Sequence, residues 1–173
     1  MRRLLDGLYR LSAALATMFL VLIAVLISAQ IVGRWLNILI PSADDIAGYC
    51  MAASAFLGLA PTLRAGAHIR IGLVSDLLGA RGRQLLQSAT ALLGVTLFAM
   101  LAYHTVSQNV WTFRNGDMST GILAIPVWLP QLGMSAGILI MLVALVDTLL
   151  ETLAGRPLAE AETKEETLLK QNF

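Results

Sequence analysis

The stretch Met18-Phe19-Leu20-Val21-Leu22-Ile23-Ala24-Val25-Leu26-Ile27-Ser28-Ala29 carries no charge and no polar stripe. A helix packed on a core in water keeps polar residues on its outer face at helical period. This stretch does not, so lipid is the solvent it fits. Worked outward, the apolar run covers residues 11–32, and further runs follow at 46–63, 85–105 and 129–150. At 1.5 Å per residue each reaches about 27–33 Å as a helix, which matches a hydrocarbon core of about 30 Å. The predicted fold is all-α and integral to the membrane, with four transmembrane helices. Arg2 and Arg3 ahead of the first run resemble the start of a signal peptide. The apolar part is too long for one, however, and no Ala-x-Ala site follows. An uncleaved signal anchor is expected.

The charges sit between the runs. All but two of the twelve Lys and Arg fall in the N-terminus, the gap between the second and third runs, or the C-terminus. Only Arg34 and Arg114 lie in the other two gaps. By the positive-inside rule both termini and residues 64–83 are cytoplasmic, and residues 34–45 and 111–128 lie outside. Trp35, Trp111 and Trp128 all fall at the outer boundary, where indole prefers to sit. That agreement is independent of the charge count.

Composition narrows the function. The chain is 57% hydrophobic and 13% charged, against about 25% charged in an ordinary soluble domain. Its net charge of +1 gives no reason to expect nucleic acid. The single cysteine, Cys50, excludes an intrachain disulfide and reads as a small packing residue. Four spans leave no room for a separate soluble domain. Residues 1–155 form the membrane domain, and residues 156–173 a charged cytoplasmic tail. Residues 1–10 read as an interfacial lead-in, with Leu4, Leu5 and Leu8 towards lipid.

Several features suggest close helix packing. Gly48/Ala52 and Ser54/Gly58 in the second run, and Gly133/Gly137 in the fourth, are small residues four apart. That spacing lets helix backbones approach closely in lipid, and favours a packed bundle over four independent anchors. Asp44 and Asp45 precede the second apolar run, as N-caps would. Between the second and third runs, residues 69–79 are too short to span. They fit a short amphipathic helix on the cytoplasmic surface. A turn is expected at Asn115-Gly116, and Pro130 suits the first turn of the last helix.

Candidate chemistry is sparse. Ionisable groups inside spans are functional candidates because burying them is costly. Here Asp147 lies near the inner end of the fourth run and His104 near the outer end of the third, with no carboxylate at a midplane. His68 and His104 lie at opposite surfaces and cannot ligate one haem. No metal-ligand set, nucleophile–base pair or phosphate-binding glycine loop is visible, so no cofactor or metal is expected. Broken helices and internal repeats, the marks of many transporters, are also not visible. The chain reads as an accessory subunit and not as an enzyme. The alternatives are a small membrane enzyme or enzyme anchor using His104 and the outer loops, or a self-associating four-helix protein.

The stretch Gly58-Leu59-Ala60-Pro61-Thr62-Leu63-Arg64-Ala65-Gly66-Ala67-His68-Ile69-Arg70-Ile71 resembles the small permease subunits of tripartite ATP-independent periplasmic (TRAP) transporters, the DctQ type. Similar too are the acidic opening of the second span at Asp44 and Asp45, Ser119-Thr120-Gly121, and Ile125-Pro126-Val127-Trp128-Leu129-Pro130. The likeness covers roughly residues 1–155. It implies a bacterial inner-membrane subunit that scaffolds a large, sodium-coupled transport subunit. It also implies a periplasmic substrate-binding protein that delivers an organic acid. On this reading Arg64, His68 and Arg70 contact lipid phosphate or the large subunit on the cytoplasmic side. Arg34, Asp44, Asp45, Arg114 and Asp117 are candidates for docking the soluble partner outside.

Overall fold

The computed structural model describes residues 2–38, 40–65 and 80–154. The expected surface helix at 69–79, His68, Arg70 and the tail at 156–173 lie outside the described residues. Four helices are long and apolar enough to cross a membrane. They are α1 (Arg2–Trp35), α2 (Ala43–Arg64), α3 (Ala80–Asn115) and α4 (Trp128–Leu153). The described chain has no strand; its single β-bridge joins Met118 and Pro126. The protein is an all-α, multi-pass membrane protein.

The helix ends follow from local chemistry. Past α1, Asn37 takes the left-handed conformation at φ 56°. Its N–H bonds to the Arg34 carbonyl at 3.3 Å, and the Ile38 N–H bonds to the Gly33 carbonyl at 2.8 Å. This is a Schellman closure, with Asn in the place usually held by Gly. The chain folds back so tightly that a Cβ on Gly33 would sit 2.8 Å from the Ile38 carbonyl oxygen. Helix α3 closes in the same way. Gly116 has φ +66°, and the Asp117 N–H reaches the Thr112 carbonyl at 3.3 Å.

The helices form an open row. α1 packs on α2, α2 on α4, and α4 on α3, while α1 barely reaches α4. α1 and α3 stand at opposite edges and do not close a ring, so the expected packed bundle is an open one. The central pair, α2 and α4, run parallel, from the end with the α1–α2 and α3–α4 connections (the outer end) to the other (the inner end).

Small residues line the central seam, but on α2 they are not all the expected ones. Gly133 and Gly137 of α4 do sit in it. A Cβ on Gly133 would lie 2.7 Å from the Ala53 Cβ, and one on Gly137 would lie 2.6 Å from the Phe56 carbonyl oxygen. Gly48, Ala52, Ser54 and Gly58 do not form the buried face of α2. Gly48 is exposed, and Ala52, Ser54 and Gly58 are only half-buried. Beside Gly48 and Gly58 there is open space among the described residues. The buried residues are Ala43, Ala47, Cys50, Ala53, Leu57 and Ala60. They recur at steps of three and four and so share one helix face. Ala52 stands one residue, about 100°, away from Ala53. The four-apart spacing of Gly48 and Ala52 records small size but does not say which face meets a neighbour.

The buried core lies towards the inner end, where Tyr9, Ala60, Met141, Ala144 and Leu145 meet, with Leu5, Leu63 and Phe98 packed against them. Residues 2–10 are therefore no separate lead-in. They continue α1, and Leu5 and Tyr9 face protein. Elsewhere α1 presents Met18, Leu20, Val21, Val25 and Ile31 outward, each at least half exposed. In a membrane that surface meets lipid or another protein.

Pro61 lies inside α2. Without an N–H it cannot bond to the carbonyl four residues back, and its ring crowds that carbonyl. The carbonyl is Leu57's. Across the interface the Ser12 hydroxyl of α1 donates to it at 2.6 Å, and Ser12 is almost fully buried. A proline in one helix is thus matched by a serine in its neighbour.

Candidate functional site

At the outer end, α2 starts at Ala43, which places Asp44 and Asp45 in its first turn and not at the cap. The capping position is Ser42, in the left-handed region at φ 58° with no side-chain cap bond. A capping side chain needs extended backbone to reach the helix N–H groups. Ser42 is turned away from that role, and its Oγ accepts the Leu123 N–H at 3.0 Å. The two aspartates still complement the positive helix end, and the parallel start of α4 has no acid of its own.

Residues 117–127 form a compact loop laid over the start of α2. The Ser119 N–H bonds to the Ile125 carbonyl at 2.8 Å, and the Val127 N–H to the Asp117 carbonyl at 3.0 Å. The Tyr49 hydroxyl and Ser119 Oγ lie 3.0 Å apart. Gly121 abuts the Asp45 carboxylate, which fills the space a Cβ would need. Phe113 meets Trp128 edge to face at 5.3 Å between ring centroids. Beneath the loop, Asn109 Nδ2 of α3 donates to Ser135 Oγ of α4 at 3.3 Å, and both residues are buried.

This outer end carries Asp44 and Asp45 in the first turn of α2 and Asp117 at the start of the loop. Arg34 stands at the α1 edge and Arg114 at the α3 edge. Asp117 is half-buried, and the other four are exposed. None of the five has an ion-pair partner among the described residues.

At the inner end, α1, α2 and α4 converge on one charge cluster. Arg64 closes α2 and forms an ion pair with Asp147 of α4. Its second terminal nitrogen lies 3.6 Å from a Glu151 carboxylate oxygen. Its guanidinium carbon sits 5.2 Å from the centre of the Tyr9 ring. Glu151 is buried and Arg64 and Asp147 are half-buried. Two expectations change here. Arg64, expected to face lipid phosphate or the large subunit, is engaged within its own chain. The helical region also holds a buried charge, where almost none was expected.

The physical reason is the parallel central pair. Two helix C-termini lie side by side, each with partial negative charge, and α4 adds two carboxylates but has no basic residue in its last turn. One guanidinium fork answers all of these at once.

These features form a built end-cap, with no constellation for bond-making chemistry. Among the described residues no group of three His, Cys, Asp or Glu side chains is placed to hold a metal ion. The family model described as "Tripartite ATP-independent periplasmic transporters, DctQ component" matches residues 23–155, well over half of the chain. This chain belongs to the DctQ family. Its relatives are the small membrane components of TRAP transporters, a transporter family and not an enzyme family. Comparison with curated protein sequences gave no match.

For a DctQ subunit, sequence reasoning missed two contacts that the fold brings together. Asp147 and Glu151 are four apart and so share a helix face, with Arg64 at the matching depth on α2. That spacing was a usable signal. Pro61 inside an apolar run was a second signal, since its freed carbonyl needs a donor and Ser12 is the polar residue at that depth in α1.

Proposed function

We propose that this chain is the scaffolding small subunit of a sodium-coupled TRAP transporter for an organic acid, set in a bacterial inner membrane with both termini in the cytoplasm. The single observation that carries the reading is the open row. A closed bundle gives every helix two neighbours within its own chain. A row held only by neighbour seams presents two edge helices, α1 and α3, whose outward faces are rich in large apolar side chains. Such a shape suits a subunit that widens a larger membrane partner.

The outer charges Arg34, Asp44, Asp45 and Asp117 meet the soluble substrate-binding protein on this reading. Exposed rim charges govern encounter rate and register more than affinity, as a transient delivery contact requires. Arg114 stands at the opposite edge, beside a groove of its own. On the inner side His68 and Arg70 face lipid phosphate or the large subunit, while Arg64 is held by α4.

Reconstitution tests the proposal. The chain alone in proteoliposomes gives no sodium-dependent uptake. Together with a large membrane subunit and a substrate-binding protein it gives uptake, and it co-purifies with the large subunit. Robust uptake by the chain alone would overturn the scaffold reading. So would uptake by the large subunit that is unchanged when this chain is left out.

A further inference from the structure

The outer third of α3 carries a shallow groove of about 340 Å³, lined by Val106, Ser107, Val110, Trp111 and Arg114. The spacing explains it. Val106, Val110 and Arg114 form one ridge along the helix at steps of four, and Ser107 and Trp111 form the next. The trough between them runs from Val106 to Arg114, about 12 Å along the axis.

The flank is uncovered among the described residues. α3 meets its neighbour α4 through a stripe that includes Ala91, Ala102, Thr105, Asn109 and Thr112, all buried. At 100° per residue, Val110 already lies about 100° round the helix from that stripe, and Trp111 further. Val110, Trp111 and Arg114 are exposed.

Arg114 needs a counter-charge. It has no acid partner among the described residues. Its place near the C-terminus of α3 favours some cation there, but does not account for an apolar trough ending on that cation. The trough offers one guanidinium, one hydroxyl and one indole N–H, and is otherwise apolar. That is the complement of an amphiphile with a single anionic end. An extended peptide would leave its backbone N–H and C=O groups unpaired there, which hydrocarbon surroundings penalise heavily. The depth is also right. Trp111 lines the trough and Trp128 lies at the same end of the fold, and indoles settle at headgroup level. The guanidinium fork matches phosphate geometry.

We propose that this flank of α3 holds one anionic phospholipid of the outer-end leaflet, with its headgroup phosphate on Arg114 and an acyl chain along Val106 and Val110. The site ties the α3 edge to the bilayer and fixes its height.

Native mass spectrometry of the purified chain, titrated with phosphatidylglycerol, tests it. The wild type keeps one lipid adduct. Arg114→Gln lowers its occupancy about fivefold, as expected for one basic side chain at a membrane surface. Val110→Trp, which fills the trough but leaves the arginine, lowers it as well. Arg34→Gln, at the other outer arginine, leaves it unchanged. Wild-type occupancy in both Arg114→Gln and Val110→Trp would overturn the proposal. In the assembled complex, a photo-crosslinker at position 107 labels photoactivatable phosphatidylglycerol. Capture of a protein subunit there instead would show that a protein covers the groove, and would also overturn it.

Discussion

Ser12→Ala removes the hydroxyl that donates to the Leu57 carbonyl at 2.6 Å. Pro61 has no N–H to replace it. A buried polar group left unpaired costs about 1–3 kcal/mol in soluble proteins. Interhelical hydrogen bonds in membranes measure lower, averaging about 0.6 and reaching about 1.7 kcal/mol. Ser12 is buried at a helix–helix contact and the bond is short, so we expect a loss near the upper membrane value, about 1–1.5 kcal/mol. The decisive measurement is a double-mutant cycle with Pro61→Ala, read by equilibrium unfolding in mixed micelles on titration with sodium dodecyl sulfate. The alanine in that variant supplies the missing N–H and relieves the crowding of the Leu57 carbonyl. In that background Ser12→Ala should cost less by roughly 1 kcal/mol, since the carbonyl then has an intrahelical donor. Equal costs in the two backgrounds would refute the pairing of proline and serine. A Ser12→Ala cost too small to measure would refute it as well.

Other outcomes follow from the same geometry. Gly137→Ala places a Cβ 2.6 Å from the Phe56 carbonyl oxygen and should destabilise by about 1–3 kcal/mol in the same unfolding assay. Gly48→Ala and Gly58→Ala, with open space beside them, should be neutral or slightly stabilising. Arg64→Ala removes the ion-pair partner of Asp147 and should cost about 1.5–3 kcal/mol, with Arg64→Lys recovering part of the loss; equal stability of Arg64→Ala and wild type would remove the ion pair from the account. A cysteine at position 115 in a Cys50→Ala background should react with membrane-impermeant reagent added from the periplasmic side, and labelling only from the cytoplasm would invert the proposed topology. Arg34→Glu should leave the complex assembled yet slow uptake at limiting substrate-binding protein, a defect partly rescued by charge reversal on that partner.

The four helices were legible because lipid demands uninterrupted apolar length, and runs such as 18–29 and 138–146 meet that demand without a polar face. The turn at Gly116 was legible because a left-handed backbone there favours glycine. Other features were not. Hydropathy reports depth in the membrane and says nothing about which helix stands beside which, so the order α1, α2, α4, α3 could not be read. For the same reason four-apart small residues can be found in the sequence but not assigned to a seam: Gly133 and Gly137 lie in the central one, whereas other residues build the buried face of α2. The place of Asp44 and Asp45 ahead of the apolar run suggests caps, but the helix starts at Ala43, and Ser42 at the capping position has its hydroxyl engaged by Leu123, a partner eighty-one residues away. From sequence, Arg64 reads as a contact to lipid phosphate or the large subunit. Its pairing with Asp147 depends on α2 and α4 running parallel, which no local pattern encodes.

The open row bears on how the chain is built. Consecutive helices α1 and α2 make one helical hairpin, and α3 and α4 make another, so each can form as it emerges, from contacts local in sequence. Only one joining step links distant parts of the chain, the docking of α2 against α4. That step presses backbone on backbone at Gly137 and closes the Arg64 charge cluster at its inner end. An error at an outer seam would release a single helix. An error at the central seam would leave two intact hairpins side by side in the bilayer, fully inserted and unassembled.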